Sequence, residues 1–431
     1  MALGFGRFER QGEAAAIREL SPLSALVAEA GPAGLMAQTE AGAPRARRLI
    51  AYAALLREIA RRSGRVETLA RAASAATRAL REAGSDGALK AEALHQQAEC
   101  QHQGLVLFGD GEAAETAHAM ADQALALSPP ALLSARLKAL KAGVDAALAL
   151  AASDRAGAEA AAEALEVSAK VLNALRAPME QIAAVAIDRA DLVIGLGALS
   201  HDRSLIAEAE HALSTLLAQI DADRLPVTWT RAKTLHGQAL VALGEVAGDA
   251  ASIAEGVAAL KAARAVLPPH HAPLDQARTA HALGLALQAM GEACEEEALF
   301  DGAVKAFTPA MEALDRAPTL PYRAIVAHDA AVCLARRAER RGDLKALEQA
   351  ELTFREALRS RSAAADPLQW AVTQVALARI YEAEASLRPD TGERADAAFA
   401  LASALEVFSE RGMRTLSAAA LSALERVKER A

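Results

Sequence analysis

Residues 321–367 read PYRAIVAHDAAVCLARRAERRGDLKALEQAELTFREALRSRSAAADP. Apolar residues recur here at steps of three and four, over 322–341 and again over 345–362, which is the spacing of a helix face. Gly342-Asp343 lies between the two runs and supplies a helix stop and a turn. The stretch therefore reads as one antiparallel helix pair, and its 47 residues are one period of a longer pattern. At that step the chain has Ala190, Gly237, Gly284, Ala331 and Ala378, and a second small column of Ala209, Gly256, Ala303, Ala350 and Ala397. Large residues keep a fixed offset from both: Val193, Leu240, Leu287, Leu334 and Tyr381, then Leu213, Leu260, Phe307, Phe354 and Leu401. Roughly a third of the chain is Ala or Gly, so five small residues in a row of five has chance odds of roughly one in a few hundred per column. Such a period is the mark of a stacked repeat protein.

Worked outward, the same rhythm covers most of the chain. Further pairs are 44–63 with 65–84, 88–108 with 112–128, 131–153 with 156–176, and 179–200 with 204–222. Then follow 228–248 with 251–266, 274–294 with 298–315, and 369–387 with 392–409. Pro178, Pro226, Pro273, Pro321 and Pro367 stand at the entries of first helices, where a missing N–H costs nothing. A final amphipathic helix over 413–430 gives the array a polar end. The expected fold is an all-α, right-handed α-solenoid of about eight antiparallel helix pairs with a C-terminal capping helix. Its divisions are a lead-in over 1–42, the repeat array over 43–410 and the cap over 411–431. The lead-in, with Phe5, Phe8, Leu20 and Leu23, reads either as a cap on the first repeat or as a docking arm for a partner.

Composition narrows function by exclusion. Hydrophobic residues make up 53% and aromatics 3%, with Ala and Leu dominant, which suits helices throughout. A net charge of -8 argues against a general nucleic-acid partner. Ten Arg of the first hairpin, among them Arg57, Arg61, Arg62 and Arg71, leave a phosphate-binding patch as an alternative to a solvated face. Cys100, Cys294 and Cys333 are far apart and odd in number, so no disulfide framework is implied and a cytoplasmic setting fits. No apolar run is long enough to insert in a membrane, and the N-terminus lacks a secretory signal.

The residues also carry a family resemblance. Ala331, Leu334, Ala350, Phe354 and Ala357 resemble the small and large positions of the tetratricopeptide repeat (TPR), with a hairpin about seven residues longer, or roughly 10 Å. Leu347-Glu348-Gln349-Ala350 and Trp370-Ala371 with Thr373-Gln374 resemble a bacterial, long-repeat TPR class. The likeness runs from about residue 178 to 410, and Trp recurs at 229 and 370 in a column shared with Gln276 and Arg323. The resemblance implies a scaffold or adaptor that binds a partner protein or acidic peptide on its concave face. The first helix of each repeat would line that face. Carried over, its polar residues are Arg231, Gln238, Arg278, His281, Gln288, His328, Arg336, Arg379 and Glu382. Four Arg and two His against one Glu make this face basic, which suits carboxylates.

Two other readings stay open. One is a regulatory sensor that takes a peptide or small acidic ligand in the groove. The other is a metal-dependent enzyme, because Glu92-x-x-His95, Glu99-x-x-His102 and Glu115-x-x-His118 have the ligand spacing of carboxylate-bridged metal sites. No phosphate loop, dinucleotide fingerprint or nucleophile elbow is present. No enzyme activity, cofactor or catalytic residue is expected, and the sequence leaves the oligomeric state open.

Overall fold

The structure is a computed structural model that describes residues 17–152, 154–200, 202–317, 321–360, 367–388, 392–410 and 414–429. Phe5 and Phe8 of the lead-in lie outside these residues. The chain is all-α, and among the described residues there is no strand. A short helical stretch at 17–20 leads into α1 (Leu23–Met36). Among the described residues seventeen helices follow: α2 (Gly42–Ser63), α3 (Val66–Glu82), α4 (Gly87–Phe108), α5 (Glu112–Ala126), α6 (Ala131–Ala152), α7 (Arg155–Ala174), α8 (Met179–Ser200) and α9 (Arg203–Leu217). Then come α10 (Pro226–Ala247), α11 (Ala250–Val266), α12 (Pro273–Cys294), α13 (Glu297–Leu314), α14 (Pro321–Arg341), α15 (Leu344–Ser360), α16 (Pro367–Leu387), α17 (Glu393–Glu410) and α18 (Arg414–Glu429). The helices fall where the hydrophobic period places them, and they form a solenoid of hairpins.

Two compact units divide the chain. One comprises residues 1–286 with 309–323, the other 287–308 with 324–431. In the first, α2 packs on α3, α4 on α5, α6 on α7, α8 on α9 and α10 on α11. The first helices of successive hairpins also touch, α2 with α4, α4 with α6, α6 with α8 and α8 with α10. In the second unit α15 packs on α16, α16 on α17, and α17 on α18.

The two small columns face each other where Gly237 and Gly256 meet. In α10 and α11, a Cβ on Gly237 would lie 3.1 Å from the Gly256 carbonyl oxygen, and one on Gly256 would lie 2.7 Å from the Gly237 carbonyl oxygen. The backbones touch because neither has a side chain. Leu260, Phe307, Phe354 and Leu401 of the large column are all buried. Turn chemistry closes the hairpin: Gly248 takes a left-handed φ of 66° after α10, and the Asp249 carboxylate accepts from Ala251 N at 3.0 Å to start α11.

The segment before the array folds onto it. Leu26 and Ala30 of α1 are buried against Leu55, Leu56 and Ile59 of α2. Burying a Leu of this kind contributes about 2 kcal/mol.

The hairpin contact makes a test. Gly256→Ala forces a methyl against the Gly237 backbone and is expected to destabilise the fold by about 1–3 kcal/mol. Gly302→Ala meets only Leu287 Cδ1 at 3.5 Å, an ordinary contact, and is expected to stabilise by about 0.5–1 kcal/mol through helix propensity. Urea denaturation midpoints of the two variants check the opposite signs.

Candidate functional site

The first helices of the hairpins in the first unit carry a circuit of ion pairs. Arg57 of α2 reaches Glu99 of α4 at 2.7 Å, and Arg136 of α6 reaches Glu92 of α4 at 3.7 Å. Arg231 of α10 reaches Asp188 of α8 at 3.7 Å. Arg61 of α2 donates to both oxygens of Asp275 of α12 at 3.0 Å, so the last such helix of this unit meets the first. The Asp188 carboxyl is pushed up by its enclosure, against the pull of Arg231 and His102, and it also feels Glu99 and Arg278. Charges from α4, α8, α10 and α12 therefore share one interior. Asp191, one turn on from Asp188 in α8, has its carboxyl raised by desolvation and by the Asp188 charge.

Several residues expected in the groove lie here. Arg231 is half-buried beside Asp188. Arg278 sits 5.9 Å over the Tyr322 ring, and His281 Nδ1 is 2.7 Å from Tyr322 Oη. Gln238 is half-buried on α10. The rest belong to the second unit. Gln288 Nε2 donates weakly to Glu292 at 3.5 Å, and Arg336 pairs with Glu292 and Glu339 at 3.6 and 3.3 Å. The His328 ring meets Phe354 edge-on with centroids 5.4 Å apart, Glu382 is half-buried, and Arg379 is exposed. Acids answer the bases in the first unit: Arg57, Arg136, Arg231 and Arg278 face Glu92, Glu99, Asp188 and Asp191, four against four. The interior is balanced rather than basic. Asp191 lies one step of 47 before Gln238, so the register extended one repeat upstream would have found it.

The Glu-x-x-His motifs are tied up separately. His95 Nε2 lies 3.3 Å from Glu99, Glu99 is held by Arg57, Glu92 faces Arg136, and His118 Nε2 lies 3.0 Å from Asp145. Among the described residues no three side chains of the ligating types converge. Part of the Arg-rich first hairpin is engaged too: Arg45 pairs with Glu82, Arg48 with Glu40, and Arg71 donates to Tyr52 Oη.

The most elaborate recognition is of the chain's own N-terminal segment. Glu19 stands at the N-terminus of α10, where Leu225 in the capping position has no polar side chain to offer. One Glu19 carboxylate oxygen accepts from Val227 N at 2.8 Å and Thr228 N at 3.1 Å, and the other accepts from Thr228 Oγ1 at 2.7 Å. Free N–H groups and the helix dipole favour an anion there. His271, just before α12, donates through Nε2 to the Glu19 carbonyl at 2.7 Å, and its own carbonyl accepts from Leu23 N at 3.2 Å. Burial holds the His271 imidazole below its ordinary pKa, which keeps it neutral and able to present one N–H.

Arg62 ties these parts together. It is 0% exposed. Its Nη1 donates to the Ser21 carbonyl at 2.9 Å and more weakly to that of His271 at 3.4 Å, and its Nη2 donates to the Arg18 carbonyl at 2.7 Å. Its Nε donates to Glu58, which also pairs with Arg61. Burial alone would push the Glu58 carboxyl up, but the Arg61 and Arg62 guanidiniums outweigh it and hold the group well below the usual carboxylate range. No local pattern in the sequence marks Arg62, Glu19 or Asp275 for these roles, because the partners of Glu19 and Asp275 lie more than 200 residues away and those of Arg62 beyond its own helix lie 41 to 209 residues away.

No protein-family model matches the chain, and no curated protein is similar to it. Solved structures share its helical-repeat build. The chain is similar to a Rap protein complexed with competence and sporulation factor, with a TM-score of 0.48 and 10% identity over 90% of this chain and 98% of that one. It is similar to a signal-transduction ATPase (STAND) with a tetratricopeptide repeat sensor from Pyrococcus horikoshii, at TM-score 0.47 and 12% identity over 96% of this chain and 56% of that one. A monomeric IFIT1 mutant with m7Gppp-AAAA gives TM-score 0.42 and 11% identity over 89% and 71%. The chain spans little more than half the length of the second of these.

Two outcomes follow from the buried guanidinium. Arg62→Met leaves the Arg18 and Ser21 carbonyls without their donor and Glu58 with Arg61 alone, and is expected to cost about 3 kcal/mol or more. The amides of Leu23 and Leu26 should lose their protection from hydrogen exchange in that variant. A carboxylate held below its ordinary value stabilises the fold fully above that value and less as pH falls through it. Protection of Leu23 in the wild type should therefore hold above about pH 4.5 and decay below it, and Glu58→Gln should flatten that decay.

Proposed function

We propose that the chain is a non-enzymatic interaction protein that binds an extended, carboxylate-bearing peptide segment across the hairpin ends of its first unit. Residues 18–23 hold that surface in cis. One observation carries this reading: three donors, two of them at a helix N-terminus, converge on the Glu19 carboxylate. The other hydrogen bonds are to main-chain carbonyls of Arg18, Glu19 and Ser21 and from the main-chain N–H of Leu23, which any peptide of the same backbone course offers. Such a surface reads a peptide by its backbone and one acid, as an adaptor does.

On this reading Arg231, Gln238, Arg278 and His281 extend the surface into the interior. Gln288, His328, Arg336, Arg379 and Glu382 would present their own face on the second unit. The balanced charge of the first unit favours a partner with a single well-placed acid over one that is acidic throughout. The cytoplasm is the setting that suits three unpaired cysteines, two of them buried.

A labelled peptide with the sequence of residues 17–27 tests the proposal against the full chain. Glu19→Ala weakens the internal occupant, so the peptide is expected to bind that variant about ten-fold more tightly than the wild type. Replacing the peptide's own Glu by Gln should remove most of the gain. Equal binding to both proteins, or binding to neither, would overturn the reading. In the Glu19→Ala background, Arg231→Glu with Arg278→Glu should weaken the peptide about five-fold if the interior contributes, and unchanged binding would confine the surface to the seat of Glu19.

A further inference from the structure

The second unit holds a cavity of about 400 Å³ between α15, α16 and α17. Its lining comes from Glu348, Glu351, Leu352 and Arg355 of α15, Tyr381 and Glu384 of α16, Arg388 just beyond, and Glu393 and Asp396 of α17. Five carboxylates and two guanidiniums leave an excess of three negative charges when all are ionised. Both guanidiniums have partners on the wall. Arg355 donates to Glu351 at 2.8 Å and to Tyr381 Oη at 2.9 Å, and Arg388 donates to Glu348 at 2.9 Å.

Glu384 stands apart from these pairs. It is 2% exposed, and its buried Oε1 has no hydrogen-bond partner. Glu393 Oε2 is likewise buried without a donor. An orphaned buried carboxylate oxygen costs free energy unless something supplies the missing donor. Among the described residues, the two guanidiniums that line the cavity are already engaged with Glu351, Tyr381 and Glu348.

We propose that this cavity is a binding site for a compact organic cation, an alkylammonium group whose N–H donors go to Glu384 and Glu393. The ammonium supplies up to three donors and a positive charge, which is what the two oxygens and the acidic excess lack. The exposed Leu352 offers an apolar wall for a short methylene stem. The volume is far larger than a bare ion needs. A divalent cation is a poorer match, because no three ligating side chains converge among the described residues. The group could arrive as a free diamine or as the end of a lysine side chain, and the chemistry of recognition is the same.

The proton competes with such a ligand. Burial, with Glu351 and Glu393 adding to it, pushes the Glu384 carboxyl up to about 7. The charged groups facing it are Glu348, Glu351 and Arg355 from α15, Tyr381 and Arg388 from its own side, and Glu393 and Asp396 from α17. A raised carboxyl is neutral below its pKa, so the cation should bind better once the proton has left.

Isothermal titration of the full chain with 1,4-diaminobutane tests the site, alongside an acetylated Gly-Lys-Gly amide, neutral n-butanol and magnesium chloride at matched ionic strength. Binding of the diamine is expected to strengthen about ten-fold from about pH 6 to about pH 8, following ionisation of Glu384. Glu384→Gln is close in shape, so it should keep a cooperative thermal transition while losing both the binding and its pH dependence. Binding of the diamine alone assigns a free amine to the site, and equal binding of the lysine peptide assigns a side chain. No diamine binding at the higher pH would overturn the proposal. So would equal binding by a folded Glu384→Gln variant, or magnesium that binds as tightly as the diamine.

Discussion

A guanidinium with no exposed surface must find all its partners inside the protein, and Arg62 finds four of them on three different segments. Glu58 comes from its own helix. The carbonyls of Arg18 and Ser21 come from the segment before the array, and that of His271 from the loop before α12. Each of these groups would be an unpaired polar atom if the others moved away. The N-terminal segment, the first hairpin and the loop before α12 are therefore interdependent through one side chain. Arg61, the residue before it, pairs with Asp275, so α2 is joined to α12 and to the loop before it by two neighbouring cations.

That constraint is useful only on a frame that brings the segments together. The small columns provide it. Where Gly237 meets Gly256, two backbones approach as closely as helices can, and the hairpin is thin. The first helices of successive hairpins then sit near enough for Arg57 to reach Glu99 and Arg231 to reach Asp188. Small residues on the hairpin face thus decide which charges meet in the interior. The charges in turn make an interior with no net sign, where one extra carboxylate at a helix N-terminus is recognised by direction more than by field.

How much of this was legible varied with sequence distance. Helix boundaries and the hairpin faces depend on periods of three, four and 47, and these are local or repeated signals. Pro226 and Gly248 bracket α10 in the sequence as they do in the structure. The same register put Arg231 and Arg278 on one face and, one repeat upstream, reaches Asp191 in step with Gln238, but Asp188 falls in step with Leu235, outside the groove positions. Arg62, Glu19 and His271 were beyond any periodic reading. Their partners lie on segments that meet only once the hairpins have stacked, and neither a lone Arg at a helix end nor a Glu in a lead-in announces burial. Glu384 was hidden for a related reason: its lack of a donor is a property of the three helices around it, not of its own.

The central claim is that Glu19 is held by the start of α10. A double-mutant cycle on folding stability with Glu19→Ala and Thr228→Val measures that contact alone, because each variant removes one side of the hydrogen bond. Hydrogen bonds to charged groups contribute about 1.5–3 kcal/mol, so a coupling of at least about 1 kcal/mol is predicted. Additive effects of the two substitutions would contradict the account, since they would place Glu19 away from Thr228 in solution.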